Sequence, residues 1–330
     1  MAQVEKQPTL GDRLQSLPKW MLYLILIVVM SIPLVFMKGC KVPGKPEEST
    51  VDLFYKLMTL PEGSTVLLSS DWTNSTAGES AGQFDSLMRI LMRKNIKVCI
   101  FTSADPQAPQ VARDELMVLN EERKKEGDKP YEQWNDYLIL GYFPNAEGTL
   151  NAIRSNVRKA FDGKKKLPPG ETVPRDVFLS PVLQNIKRVE DFQMVLVITA
   201  SKTSNITIER LSDKLSADGK LGMMVTGVMG PETQVYYASG QLVGLSKGLK
   251  GVFELEQMMA KGLNNPDFAT AEIRSEKYKD TPIQGFPGKQ NEGKGTKYYP
   301  TLHFALGLLI LAVIIGNIGM AMSRRQGVEK

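Results

Sequence analysis

The sequence predicts an α/β domain built on a doubly wound, mostly parallel sheet and carried between two transmembrane helices. Three observations point there. Two apolar stretches free of Asp, Glu, Lys and Arg, 20–37 and 301–322, lie near the ends of the 330-residue chain. Between them, short and almost continuous apolar runs alternate with segments whose apolar residues recur at helical spacing. Setting aside the two stretches and the tails beyond them leaves about 260 residues, the size of one α/β unit. The resulting order is a tail at 1–19, a span at 20–37, a linker at 38–50 and the domain at 51–280. A Gly/Lys-rich linker at 281–300, a second span at 301–322 and a basic tail at 323–330 complete it.

The first span, Trp20 to Met37, is about 27 Å long as a helix, enough for a thin hydrocarbon core. A cleaved signal peptide would end in a small-x-small site, and Phe36-Met37-Lys38-Gly39-Cys40 has none. The second span, Thr301 to Met322, carries Ala312 and Gly316 at small-xxx-small spacing, with Asn317 and Gly319 close by. Such residues let helices approach and hydrogen-bond in lipid, so they are the candidates for packing on the first span or on another membrane helix. The partner implied is the lipid bilayer. Lys6, Arg13, Lys19, Arg324, Arg325 and Lys330 flank the spans on the tail side; Lys38, Lys41, Lys45, Lys289, Lys294 and Lys297 flank them on the domain side. Short segments weigh more than long ones in setting orientation. The expectation is a two-pass plasma (inner) membrane protein with cytoplasmic tails and an extracytoplasmic domain.

Within the domain, Thr65 to Leu68 is the first strand, followed by a helix with Phe84, Leu87, Met88 and Leu91 on one face. Lys97 to Thr102 is the second strand, and Ala112, Leu116 and Leu119 mark the next helix. Tyr137 to Tyr142 is the third, followed by a helix turning Leu150, Ile153, Val157 and Phe161 inward. A Pro- and Lys-rich loop, Lys164 to Pro174, breaks the rhythm. Met194 to Thr199 is the fourth strand; Ile208, Leu211 and Leu215 mark a helix; Leu221 to Val228 is the fifth strand. Apolar strands separated by helices argue for parallel pairing covered on both faces, a Rossmann-like layer.

Composition narrows the chemistry. With 41 basic and 36 acidic residues the excess is +5, too mild for a nucleic-acid binder, and no zinc-ligand spacing is present. Cys99 lies in an apolar run, and Lys38 stands where a lipid-acceptor cysteine at Cys40 would need a small or apolar residue. The sole histidine, His303, sits at the mouth of the second span, which excludes a Ser-His-Asp or Cys-His set in the domain.

Ligands of open parallel sheets bind beyond the carboxyl ends of the strands. Those ends are rich in hydroxyls here, and the ligand candidates are Asp71, Thr73, Ser75, Thr102, Thr149 and Ser201. Neither G-x-G-x-x-G after the first strand nor a P-loop signature is present. Asp71-Trp72-Thr73-Asn74-Ser75 has the form D-x-T-x-S and resembles the metal-ion-dependent adhesion motif of von Willebrand A domains, with Gly148-Thr149 matching that family's distant threonine. The resemblance implies Mg²⁺ held by Asp71, Thr73 and Ser75. Ala200 stands where that family has a further Asp. The primary expectation is no cofactor, with Mg²⁺ as the alternative.

After the fifth strand, Leu242, Leu245, Leu249 and Val252 keep helical spacing, while Gly240, Gly244 and Gly248 recur every fourth residue with Gly251 beside them. Glycine inside a helix costs about 1 kcal/mol against alanine. The expectation is one helix over 240–251 whose glycine face meets another backbone, either the domain's own sheet, a partner protein or a second copy. Tyr236–Gly251 (YYASGQLVGLSKGLKG), Ile90–Val98 (ILMRKNIKV) and Asp136–Asn145 (DYLILGYFPN) are similar to a widespread bacterial family of two-span membrane proteins. That resemblance implies a fold and a membrane address, with no activity attached. Taken together, these features suggest a non-catalytic accessory, scaffold or interaction subunit; the alternative is an extracytoplasmic Mg²⁺- or small-ligand-binding module.

Overall fold

The computed structural model describes residues 18–36, 45–263, 276–278, 280, 283–288 and 291–328. Residues 1–17, 37–44, 264–275 and 329–330 lie outside them, and with them Cys40 and most of the 38–50 linker. Contacts divide the chain into two compact units. One is the domain, Pro43–Thr296; the other comprises Met1–Val42 and Lys297–Lys330.

The domain begins with helix α2 (Glu48–Met58), so residues 48–50, expected to be linker, are helical. Strands β1 (Thr65–Asp71), β2 (Lys97–Thr102) and β3 (Tyr137–Tyr142) alternate with helices α3 (Ala77–Arg93) and α4 (Ala108–Lys125). The long connection that follows holds α5 (Ala146–Ser155), α6 (Val157–Ala160) and a short hairpin, β4 (Lys165–Lys166) with β5 (Arg175–Asp176). Next come β6 (Met194–Thr199), α7 (Thr203–Leu215), β7 (Leu221–Val225), α8 (Gly230–Ala238), β8 (Gly244–Lys247) and α9 (Gly248–Lys261). The main sheet has six strands, all parallel, in the order β3-β2-β1-β6-β7-β8. It is a doubly wound, Rossmann-like sheet whose strand order reverses between β1 and β6.

Alternation along each strand feeds two cores. Val66, Leu68, Val98, Ile100, Leu196 and Ile198 point to a core shared with α2, α3, α4 and α9. Leu67, Cys99, Phe101, Val195 and Val197 point to the opposite core, shared with α5, α6 and α7. Burial pushes the Cys99 thiol well above its usual range, so it serves as a small hydrophobe.

Three expectations need correcting. The helix carrying Leu150, Ile153, Val157 and Phe161 is two helices, broken at Asn156, whose side chain caps α6 by accepting from Lys159 N at 3.0 Å; all four apolar residues are nonetheless buried. The fifth expected strand stops at Val225 and is followed by a turn.

The third correction concerns the 240–251 helix, which does not exist. Gly240 has φ +77° and ends α8: its N–H donates to Tyr237 O, and that of Gln241 donates to Tyr236 O, each at 3.0 Å. This is a Schellman closure, for which glycine carries no steric penalty. Gly248, φ +54°, turns the chain from β8 into α9. Gly240, Gly244 and Gly248 thus mark a helix end, a sixth strand and a helix start, so no common glycine face exists. The close backbone approach expected of them holds at Gly244, where a Cβ would lie 2.5 Å from Leu53 N and Cα of α2. Gly251 is buried on α9, its space filled by Ser246.

In the other unit, α1 (Lys19–Phe36) matches the first expected span, with Pro33 inside it. Helix α10 (Lys294–Val328) begins well before 301, so residues 294–300 of the expected Gly/Lys linker and 323–328 of the tail are helical. Both helices are long and apolar enough to cross a membrane, and in each the most apolar window is only 6% buried. Ala312 and Asn317 are exposed, Gly316 is half-buried with open space where a Cβ would be, and Gly319 is buried.

Gly244→Ala tests the account of β8. The added methyl group would meet the backbone of α2, which cannot rotate away, and the chain should lose about 1–3 kcal/mol or more in denaturant unfolding. A helical Gly244 would instead gain up to about 1 kcal/mol from the same change.

Candidate functional site

The strand order places a crevice beyond the carboxyl ends of β1 and β6, where Asp71 is paired in register with Thr199. Both strands end in polar residues because the apolar run stops there, and the chain must turn into a helix.

Asp71 is buried and occupied by its own chain. Its Oδ1 accepts from Thr102 Oγ1 at 2.7 Å, Ser103 N at 2.9 Å and Ala104 N at 3.2 Å; its Oδ2 accepts from Ser69 Oγ at 2.6 Å. The carboxylate thus ties the end of β1 to the turn after β2. Trp72 folds inward against Phe84, ring centroids 5.8 Å apart. Thr73 and Ser75 then share a hydroxyl–hydroxyl bond of 2.8 Å, and Thr73 N donates to Thr76 Oγ1 at 3.2 Å ahead of α3.

Across the crevice, Thr199, Ser201 and Thr203 form a closed triangle of hydroxyls, with separations of 3.2, 2.9 and 2.9 Å. The structure therefore places Asp71, Thr102 and Ser201 at neighbouring strand ends and bonds two of them directly. Thr149 is not brought in: it sits on α5, its hydroxyl donating to Pro144 O at 3.4 Å.

Other acids at these strand ends are used in the same way as Asp71. Glu79, in the first turn of α3, accepts from Gly227 N at 2.7 Å, and Asp105 accepts from Gln107 N at 2.7 Å. Gln83 donates to Val225 O at 2.6 Å. Among the described residues no group of three His, Cys, Asp or Glu is placed to hold a metal ion. A shallow cavity of about 180 Å³ opens at the other end of the sheet, beside Ser64, Thr65, Lys97 and Gln193.

Sequence reasoning missed a second polar constellation on the α3–α4–α9 face. Glu256 of α9 is buried and accepts from Gly293 N at 3.0 Å, Gly295 N at 2.9 Å, and Thr296 N and Oγ1 at 2.6 Å each. It caps the first turn of α10. Beside it Lys294 joins Asp85 of α3 at 3.1 Å and Glu115 of α4 at 3.0 Å. Two residues earlier on α9, Glu254 accepts from Glu47 N at 3.1 Å, while Glu47 pairs with Lys247 and with Lys250 at 3.1 Å. The chain's way into the domain and its way out are thus both fastened to α9. The signal was present: Asp85 follows Phe84 on a buried stripe, and Glu254 and Glu256 flank Leu255.

Burial raises both Glu254 and Asp85 to about 7, against the opposing pull of Lys250 on the former and Lys294 on the latter. Burial also raises Glu256, against the four bonds it accepts.

Comparison with known proteins finds no match among family models, curated proteins or solved structures. The resemblances to a bacterial two-span family and to von Willebrand A domains thus identify no family. What stands is an α/β domain on a six-stranded parallel sheet and two long apolar helices.

Two outcomes are expected. Asp71→Ala should cost about 2–4 kcal/mol in urea unfolding, because it strands the buried Ser103 N–H and Thr102 hydroxyl; a loss under about 0.5 kcal/mol would mean the clamp is idle. Asp85 and Glu254 are protonated in the folded chain and ionised in the unfolded chain between about pH 4 and 7, so stability should fall as pH rises through that window. Glu254→Gln should flatten the dependence, and an unchanged pH profile in the variant would contradict this.

Proposed function

We propose that the protein is a membrane-anchored, non-catalytic scaffold or interaction subunit of a membrane assembly. In this reading α1 and α10 cross the plasma membrane, and the domain faces away from the cytoplasm. The observation that carries the proposal is how the carboxylates at the strand ends are used. Asp71, Glu79 and Asp105 each hold backbone N–H groups of the domain itself. A general acid or base must instead reach a proton on the substrate. The fastening of residues 47 and 293–296 to α9 adds support, since it ties both chain ends of the domain to one core helix.

The orientation rests on the tail-side charges, with Arg324 and Arg325 directly after the second span. A second reading, a Mg²⁺-binding module, has one observation in its favour: the Thr73–Ser75 hydroxyl pair one turn beyond Asp71. It requires Asp71 to release Thr102 and Ser103, and a rise in melting temperature with millimolar Mg²⁺ that Thr73→Val abolishes would establish it.

Membranes solubilised in mild detergent and run on a native gel should show the chain in a complex well above its own 36.7 kDa plus detergent. Asp71→Asn, which keeps the side chain's shape, should remain in that complex at the level to which it folds. Migration as a monomer under every mild detergent would contradict the proposal. A periplasm-active reporter placed in the 164–174 loop should be active and the same reporter after Lys330 silent; the opposite pattern would overturn the orientation alone.

A further inference from the structure

Outside the crevice, the strongest unassigned feature is the β4–β5 hairpin beside edge strand β3. Lys164, Lys165 and Lys166 are consecutive there; across the hairpin Lys165 is paired with Asp176, and Lys166 with Arg175, like charge to like charge. Lys164 Nζ stands over the ring of Phe143 at 4.3 Å. Among the described residues none of the three lysines bonds to a carboxylate, whereas Arg175 pairs with Glu171 at 2.6 Å. Burial lowers the pKa of Lys166, and the charges of Arg113 and Lys164 lower it further. The like charges crowded around Lys166 cost free energy that an anion supplied from outside would relieve.

Val177 of the same loop is buried in the core, but three of its aliphatic residues are turned outward. Leu167 is 48% exposed, Val173 67% and Leu179 63%, in a domain whose other large apolar side chains are mostly buried. A lysine run followed in the same loop by exposed aliphatic tips matches the headgroup–acyl boundary, where ammonium groups meet lipid phosphates and aliphatic groups enter the interface. An acidic protein would satisfy the lysines and leave the tips unexplained; a free phosphate ion would do the same.

We propose that the 164–179 hairpin loop docks on anionic lipid headgroups, making a third, peripheral membrane contact besides α1 and α10. This rests on the reading of α1 and α10 as membrane spans. Docking would fix how the domain sits against the bilayer and would respond to lipid charge. Each lysine at an anionic surface shifts the docked-to-free ratio about fivefold, so the three together contribute on the order of 100-fold.

The test uses the full chain in nanodiscs, with Cys40→Ser and Leu167→Cys carrying an environment-sensitive fluorophore; Cys99 is buried and remains unlabelled. Co-elution of the chain with the discs is scored first, and failure to insert would sink the two-span reading and this inference with it. With insertion established, a blue-shifted and brighter signal is expected in discs containing about one-third phosphatidylglycerol but not in phosphatidylcholine discs. It should be reversed by about 0.5 M NaCl and lost when Lys164, Lys165 and Lys166 are all changed to Gln. No difference between the two lipids would overturn the inference and leave the two-span reading intact. A shift in neutral discs on adding millimolar inorganic phosphate would overturn it in favour of a free-phosphate site, and a shift surviving the triple change would show that charge plays no part.

Discussion

A parallel sheet cannot leave a face in water, because its strands are apolar on both sides and its crossovers must run over those sides. Everything else in the domain follows from meeting that constraint with six strands. The three strands β1, β2 and β3 wind outward under α3 and α4; β6, β7 and β8 wind the other way over α7 and α8. That leaves β7 and β8 bare on the first face, and α2 and α9 cover them. Leu53 of α2 lies so close to β8 that only glycine fits at 244. The helices nearest the domain's two chain ends are thus the ones the sheet most needs.

That placement explains the buried acids of α9. Its covering position leaves it between the segment that brings the chain in and the segment that takes it out. Glu254 and Glu256, two residues apart and so on different sides of the helix, hold one each. A buried carboxylate is costly unless its oxygens are bonded, and Glu256 meets four donors at the start of α10. The arrangement also suits the helix dipole, since a negative group at an N-terminus is favourable there. Asp71 repeats the logic at the end of β1. In both places acidity secures backbone, so the domain's polar interior maintains shape.

Much of the fold was legible because strands with unbroken apolar runs announce themselves. The bounds of β2, β3 and β6 follow from the residues alone, as do the buried stripes of α3, α4 and α7. β8 was not legible. Its four residues are too short for a period, and Leu242, Leu245, Leu249 and Val252 mimic helical spacing across a turn, a strand and a helix start. Gly240 and Gly248 held the correct signal, since positive φ at both shows that glycine was punctuating the chain. At the crevice, residue types located the hydroxyls, but only the coordinates show Asp71 engaged with Thr102 and Ser103. The tie between Glu256 and residues 293–296 spans about forty positions, beyond any local pattern.

Central to this structure is the fastening of both chain ends of the domain to α9, with its acids holding backbone. Amide hydrogen exchange on the full chain in nanodiscs tests it most directly. The N–H groups of Glu47, Gly295 and Thr296 accept protection only if their bonds to Glu254 and Glu256 persist. They should exchange as slowly as amides of the sheet core, through global opening alone. Exchange at the rate of an open linker would show that the ends are loose, and the scaffold account would fail with them.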